Sequence, residues 1–111
     1  MRHFIRGCWD GDGSAYWENN DPAKPRASFI SGSKPFAEGI LKHLISLGLS
    51  ERRLYTGYAG RAFYFRFLGR DCARLYHIFY DGVPESMYLV RKYERFKAIA
   101  NYFVSNDFYL D

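Results

Sequence analysis

Residues 4–14, FIRGCWDGDGS, constrain the fold of this chain more than any other stretch. Their apolar residues recur at helical spacing, and this pattern predicts a helix over residues 3–12. On that helix Gly7 and Gly11 lie four residues apart, on one face. Because glycine has no Cβ atom, such a face lets a second backbone approach closely. We therefore expect another helix against it.

The helix itself does not fix the partner of this face. We call the face the glycine edge, and its residues are Phe4, Gly7, Cys8 and Gly11. If the partner is a second copy of the same helix, a two-fold axis along the glycine edge brings two Asp12 carboxylates to one place. Paired carboxylates can hold divalent metals, and two metals can bracket a scissile phosphate. One interpretation of the segment is therefore a symmetric helix pair with metal-dependent phosphodiester chemistry at its centre.

Two other interpretations of the acidic residues remain open. In the first, Asp10, Asp12 and Ser14 occupy positions 1, 3 and 5 of a calcium-binding loop. However, Ala15 stands where that loop needs glycine, and Asp21 stands where it needs glutamate. Alternatively, both are ordinary solvated residues at a helix C-terminus. Carboxylates there meet the negative end of the helix dipole, so a cation should offset them.

Composition bounds the class of protein. The chain has 111 residues and a net charge of +4, with 11 Arg against 5 Lys. Its length favours one domain, and the arginine bias favours a polyanionic partner. No long apolar run or signal core is present, so we expect an intracellular protein, in the cytoplasm, nucleoid or an organelle, without a membrane partner. Cys8 and Cys72 are predicted to be small core residues, and no histidine has metal-ligand spacing.

Periodicity and turn residues predict an α+β domain with a four-stranded, mostly antiparallel sheet. Helices cover one face of this sheet, and its second face is left open. Ser33 is a plausible N-cap of the second helix. The predicted elements are helices 3–12, 34–48, 70–80 and 85–103, strands 14–20, 26–32, 52–58 and 61–68, and turns 19–25 and 58–61.

Alternation along the strands assigns side chains to the two faces. The core side is predicted to carry Ala15, Trp17, Ala27, Phe29, Leu54, Thr56, Phe63, Phe65 and Phe67. The open side is predicted to carry Ala62, Leu68 and the candidate DNA-binding residues Ser14, Tyr16, Glu18, Asn20, Arg26, Ser28, Arg53, Tyr55, Tyr64 and Arg66. Any solvated sheet face is polar, but Arg, Tyr, Asn and Ser are the side chains that bind base edges and phosphates.

At this point the chain resembles a known family. IRGCWDGDG, residues 5–13, is similar to the LAGLIDADG motif of homing endonucleases, with Gly7, Asp10, Asp12 and Gly13 identical. The full stretch FIRGCWDGDGS is similar to the spelling FLRGLFDADGS. Later segments follow the family's order: FISGSKPFAEGILKHLISLGLS resembles its strand-to-helix segment, FYFRFLGRDCARLYHIFYDG its last strand and next helix, and YLVRKYERF its basic closing helix.

The resemblance implies an αββαββα domain whose saddle-shaped sheet lies in a DNA major groove. It implies that Asp12 is the metal ligand and catalytic carboxylate, and that Asp10 positions the helix end. A basic residue near the scissile phosphate is assigned to Lys92, with Arg91 in reserve. Ser33 either caps its helix or orders the attacking water.

The implied activity is Mg²⁺-dependent hydrolysis of both strands of a near-palindromic DNA site, with no small-molecule substrate. Mn²⁺ or Ca²⁺ can replace Mg²⁺ for binding. Because only one motif copy is present, the resemblance implies a homodimer through residues 4–12. The alternative is a sequence-specific DNA-binding module of the same fold without cleavage, as in some transcription regulators and maturases. A more distant alternative is a protein-interaction domain that binds no nucleic acid.

Overall fold

The computed structural model, which describes residues 2–84 and 89–106, consists of helices packed on one face of a four-stranded sheet. The helices are α1 (Arg2–Asp12), α2 (Lys34–Ser46), α3 (Arg70–Tyr80) and α4 (Val90–Asn106), and the strands are β1 (Gly13–Trp17), β2 (Pro25–Ser31), β3 (Tyr55–Gly57) and β4 (Ala62–Leu68). The strands lie in the order β1-β2-β4-β3, and all neighbours are antiparallel. This confirms the predicted α+β class and the antiparallel sheet.

The core lies between the sheet and the helices, and aromatic rings dominate it. Ala27, Phe29, Phe65 and Phe67 are buried, as the alternation along β2 and β4 predicted. The ring of Trp9, from α1, lies 5.5 to 6.0 Å from three core phenylalanines, which are Phe29, Phe65 and Phe79. These contacts attach α1 to the centre of the sheet. Burial of large aromatic side chains is the main stabilising term in a domain of this size.

A buried arginine fixes the rotation of α1. Arg6 is only 2% exposed, and its Nη1 donates to the carbonyl oxygen of Phe79 at 2.9 Å. Ile5 and Trp9 are buried on the same side of the helix. The opposite side, with Gly7 and Gly11, is therefore turned away from the core, and both glycines are exposed.

Two predicted strands are shorter than expected. The strand predicted over 14–20 ends at Trp17, because Asn19 and Asn20 adopt left-handed backbone angles (φ 55° and 56°) within a 3₁₀ turn. The strand predicted over 52–58 is confined to residues 55–57 at the sheet edge. Thr56, predicted to be in the core, is consequently exposed.

The helix predictions are confirmed for 70–80 and corrected at the ends of the others. The second helix ends at Ser46 instead of residue 48. After this end, Leu47 is 46% exposed, whereas Leu49 is buried in the core. Residues 85–88 of the helix predicted over 85–103 lie outside the described residues. Among the residues that the structure describes, no helix is both long and apolar enough to cross a membrane.

Gly13 permits the tight junction between α1 and β1. A Cβ atom on Gly13 would come closer than 3.0 Å to the indole ring of Trp9, which is itself 1% exposed. We expect Gly13→Ala to lower the free energy of unfolding by about 1–3 kcal/mol, the usual cost of overpacking a core. Urea unfolding measures this loss.

Gly39→Ala is the matched control. Gly39 lies inside α2 with open space where its Cβ would be, so alanine there should raise the stability by about 0.5–1 kcal/mol through helix propensity. A Gly13→Ala variant as stable as the parent protein would contradict the proposed contact.

Candidate functional site

The open face of the sheet presents polar and aromatic side chains in rows across the strands. Pairing aligns Ser14 with Ser28 and Arg66, Tyr16 with Arg26 and Leu68, and Ile30 with Tyr64 and Tyr55. The Oγ atoms of Ser14 and Ser28 lie 2.7 Å apart, and the rings of Tyr55 and Tyr64 stack at 5.5 Å. This face therefore offers hydroxyls, aromatic rings and guanidinium groups on one surface.

The arginines of the open face differ in how they are held. Arg26 is fixed by Glu18, with its Nε and Nη2 at 2.9 and 2.8 Å from one carboxylate oxygen. Arg52 donates from Nε to the backbone oxygen of Arg66 at 2.7 Å. The Arg66 guanidinium itself has no partner among the residues that the structure describes. Arg66 thus has all of its side-chain donors available to a ligand, whereas Arg52 has its Nε engaged.

Two candidate DNA-binding residues lie elsewhere. Asn20 lies in the 3₁₀ turn, where it lines a groove with Ala98 and Tyr102 of α4. Arg53 is exposed in the segment before β3, outside the strands. Both displacements follow from the shortened strands.

Sequence reasoning missed two residues of the open face. Arg52 lines a groove together with Tyr55, Tyr64 and Arg66, where Arg53 was expected. Ile30 pairs with Tyr64 and was not assigned to either face. The alternation of β2 could have assigned Ile30, since Arg26, Ser28 and Ile30 share one parity. The place of Arg52 depends on an irregular segment, which has no such period.

The C-terminal end of α1 is held by a lysine from α4. The Lys92 Nζ donates to the backbone oxygens of Trp9, Asp10 and Gly13 at 2.7, 2.7 and 2.6 Å. An ammonium group has three protons to donate, so these contacts use all of them. The carbonyl end of a helix carries partial negative charge, which a cation stabilises. Lys92 therefore supplies the cation that the acidic end of this helix was expected to need.

Asp10 makes the reciprocal contact with α4. Its Oδ2 accepts from the backbone N–H of Leu89, next to the first turn of α4, at 3.4 Å. Burial raises the pKa of Asp10, although the Leu89 N–H and the Lys92 ammonium act in the opposite direction. Burial lowers the pKa of Lys92, opposed by the carboxylates of Asp10 and Asp12. Three hydrogen bonds from Lys92 and one accepted by Asp10 thus join the end of α1 to the start of α4, and we call this set of contacts the Lys92–Asp10 clamp.

Asp12 is the last residue of α1, and its side chain is exposed. Ser14, two residues later, already lies on the open face. Within residues 2–84 and 89–106, no group of three or more His, Cys, Asp or Glu side chains could hold a metal ion.

The described residues leave the glycine edge uncovered. Among them, no atom lies within 4 Å of a Cβ built on Gly7 or Gly11, and Phe4 is 56% exposed. Cys8, predicted to be a core residue, is only partly buried here, whereas Cys72 is fully buried as predicted.

The structure adds Phe36 to the glycine edge. Its ring is 38% exposed and lies edge-on to the ring of Phe4, with the centroids 6.2 Å apart. Phe36 stands in the first turn of α2, and Ser33 caps that helix by accepting a hydrogen bond from the Phe36 N–H at 3.3 Å. The capping alternative for Ser33 thus describes its contact.

Lys92→Met tests the clamp, because methionine keeps the apolar stem and removes all three hydrogen bonds. We expect the free energy of unfolding to fall by about 1.5–3 kcal/mol, the usual value of hydrogen bonds to a charged group. Chemical denaturation of the variant measures this. Lys97→Met is the control on the same helix, since Lys97 is exposed over the Tyr93 ring. This substitution should lower the free energy of unfolding by at most about 1 kcal/mol. Equal losses in both variants would argue against the clamp.

Comparison with known proteins agrees with the fold and the motif. No curated protein sequence matches the chain. The family model described as a LAGLIDADG-like domain matches residues 1–77. The matched part includes the end of α1 with Asp10, Asp12 and Gly13, all four strands and most of α3. The chain therefore belongs to the LAGLIDADG family of nucleases and DNA-binding proteins.

Proposed function

We propose that this chain is a site-specific DNA endonuclease that cuts both strands of a near-palindromic duplex as a homodimer with a divalent metal. The observation that carries the proposal is the position of Asp12. It is exposed at the end of α1, beside the uncovered glycine edge and two residues before the open face begins. A carboxylate there can act on the same duplex that the sheet binds.

The dimer is proposed to form along the glycine edge. The exposed rings of Phe4 and Phe36 provide apolar area for such a contact, and burial of apolar area drives most association. The two glycines allow the helices to approach closely. The two-fold axis would then set one Asp12 from each chain side by side.

For cleavage, we propose that the two Asp12 carboxylates bind Mg²⁺, for which Mn²⁺ or Ca²⁺ can substitute in binding. The metal supplies Lewis-acid activation of water and charge stabilisation at phosphorus. Lys92 keeps the end of α1 in place through its three carbonyl contacts. The Asp12 carboxylate lies close enough to Lys92 to favour the charged ammonium form, which raises the pKa of Lys92 against the effect of burial. Arg91, exposed next to Lys92, is the basic residue with access to a phosphate.

The open face is proposed to read the DNA sequence. An arginine with available donors, such as Arg66, suits the O6 and N7 atoms of guanine in the major groove. Arg26, already neutralised by Glu18, suits positioning more than reading. Phosphate contacts by the remaining arginines would make the affinity depend on salt concentration.

One observation favours the second candidate function, a DNA-binding module without cleavage. Lys92, the basic residue expected near the scissile phosphate, has all three ammonium protons engaged by backbone carbonyls. A protein that kept only the binding function would retain this contact for stability. The two candidates differ in turnover and share the open face.

The decisive experiment selects a bound duplex from a randomised library and then incubates it with Mg²⁺. We expect the parent protein to cleave both strands. In Asp12→Asn the cleavage rate should fall by at least about 100-fold, because the substitution removes the metal-binding carboxylate from both chains of the dimer. Binding of the selected duplex should persist in this variant.

Asp81→Asn is the matched control, since Asp81 is also an exposed carboxylate at a helix end, that of α3. It should cleave like the parent protein. Tight binding with no cut strand at any metal concentration would establish the binding-only alternative. Affinity that does not change with salt would instead favour a protein-interaction domain.

The dimer is tested through its own cysteine. Cys8 lies on the glycine edge and is partly exposed, whereas Cys72 is inaccessible, so a short bismaleimide should link two chains through Cys8 alone. Gly7→Arg should abolish the crosslink and the cleavage, because a long side chain separates the two helices. Gly39→Arg, on the exposed side of α2, should leave both unchanged. A monomeric parent protein at cleavage-competent concentration would contradict the proposed assembly.

A further inference from the structure

The turn between β3 and β4 holds two non-glycine residues in left-handed backbone conformations. Tyr58 and Ala59 have φ angles of 53° and 56°, and Gly60 follows at 85°. The bonds from Gly60 N to Gly57 O and from Arg61 N to Tyr58 O, both 3.1 Å, close two successive turns. Turns with positive φ at both central residues normally take Asn or Gly there, because a Cβ atom in this region costs free energy.

The Tyr58 side chain has no aromatic or hydrogen-bond contact, among the described residues, that would offset the backbone strain. This side chain is a bulky ring, which makes a left-handed position unfavourable, and it is 75% exposed. No ring contact or hydrogen bond of the Tyr58 side chain occurs within the described part of the chain. Local strain of this kind is found where function needs a side chain in a particular place.

The strained turn carries the ring to the rim of the open face. Tyr58 lines a groove of about 430 Å³. The other residues that line it are Tyr16, Ser28, Phe29, Ile30, Gly57, Tyr64 and Arg66. The same groove thus offers the guanidinium of Arg66, which has no hydrogen-bond partner among the described residues, together with apolar and aromatic side chains. An apolar surface beside an arginine in the major groove suits the methyl group of thymine next to a guanine.

We propose that Tyr58 is a DNA-contacting residue whose ring, held out by the left-handed turn, makes apolar contact with a base next to the one read by Arg66. This rests on the proposed function, since it assumes that the open face binds duplex DNA. It extends the interface beyond the strands to the β3–β4 turn. On this proposal, the strained backbone persists, despite its cost in stability, because it holds the ring where DNA binds.

The test separates strain from contact with a pair of asparagine variants. Asparagine tolerates left-handed angles, so Tyr58→Asn and Ala59→Asn should both melt at or above the temperature of the parent protein. The probe is the duplex recovered by the library selection, in Ca²⁺ to prevent cleavage. Tyr58→Asn should bind it about 10-fold more weakly, the usual loss for one base contact, whereas Ala59→Asn should bind like the parent. Tyr58→Phe should also bind like the parent, because it keeps the ring.

Each other outcome overturns a defined claim. Unchanged affinity of Tyr58→Asn, or an equal loss in Ala59→Asn, overturns the contact while leaving the proposed function intact. A loss in Tyr58→Phe as large as that in Tyr58→Asn overturns the apolar ring contact in favour of a contact through the hydroxyl. If the parent protein selects no duplex at all, the proposed function fails, and the inference fails with it.

Discussion

The Lys92 ammonium, bound to three carbonyl oxygens at the end of α1, is the interaction on which the rest of the candidate site depends. A helix end leaves backbone carbonyls without partners, and two aspartates nearby add negative charge. One partly buried lysine, with its cation at these carbonyls, satisfies both needs. The same contact fixes where β1 starts, because Gly13 O is one of the three acceptors. The open face and the end of α1 therefore share one anchor.

Of the four residues that match the family motif, two have structural contacts and two have none within the described part of the chain. Gly13 is required because the Trp9 ring occupies the space of its Cβ atom. Asp10 accepts the Leu89 N–H at the start of α4. No described residue approaches the position that a Cβ atom of Gly7 would take, so Gly7 leaves the glycine edge open. Asp12 is exposed and, among the described residues, has no hydrogen-bond partner. A carboxylate without a structural contact in an otherwise structural motif is the natural candidate for chemistry.

The open face shows the same division among its cations and rings. Glu18 holds Arg26 and the backbone holds Arg52, so these two guanidinium groups are preorganised at fixed places. The side-chain donors of Arg66 stay available. Tyr58 is exposed on a turn whose left-handed backbone angle is unfavourable for this residue. Under the proposed function, the held arginines would position the duplex and Arg66 would contact its bases. The distinction was invisible in composition, where all eleven arginines count alike.

Local patterns in the sequence determined the fold class, the helix over 70–80 and the buried faces of β2 and β4, because periodicity follows directly from which face a residue occupies. They also determined the glycine edge and the acidic end of α1, which depend on neighbours within one helix. Tertiary structure alone decided that Lys92 binds the end of α1, that Arg52 replaces Arg53 on the open face, and that Phe36 joins the glycine edge. The reason is physical: each of these depends on a contact between distant segments or on an irregular turn, and neither has a period that a sequence can display.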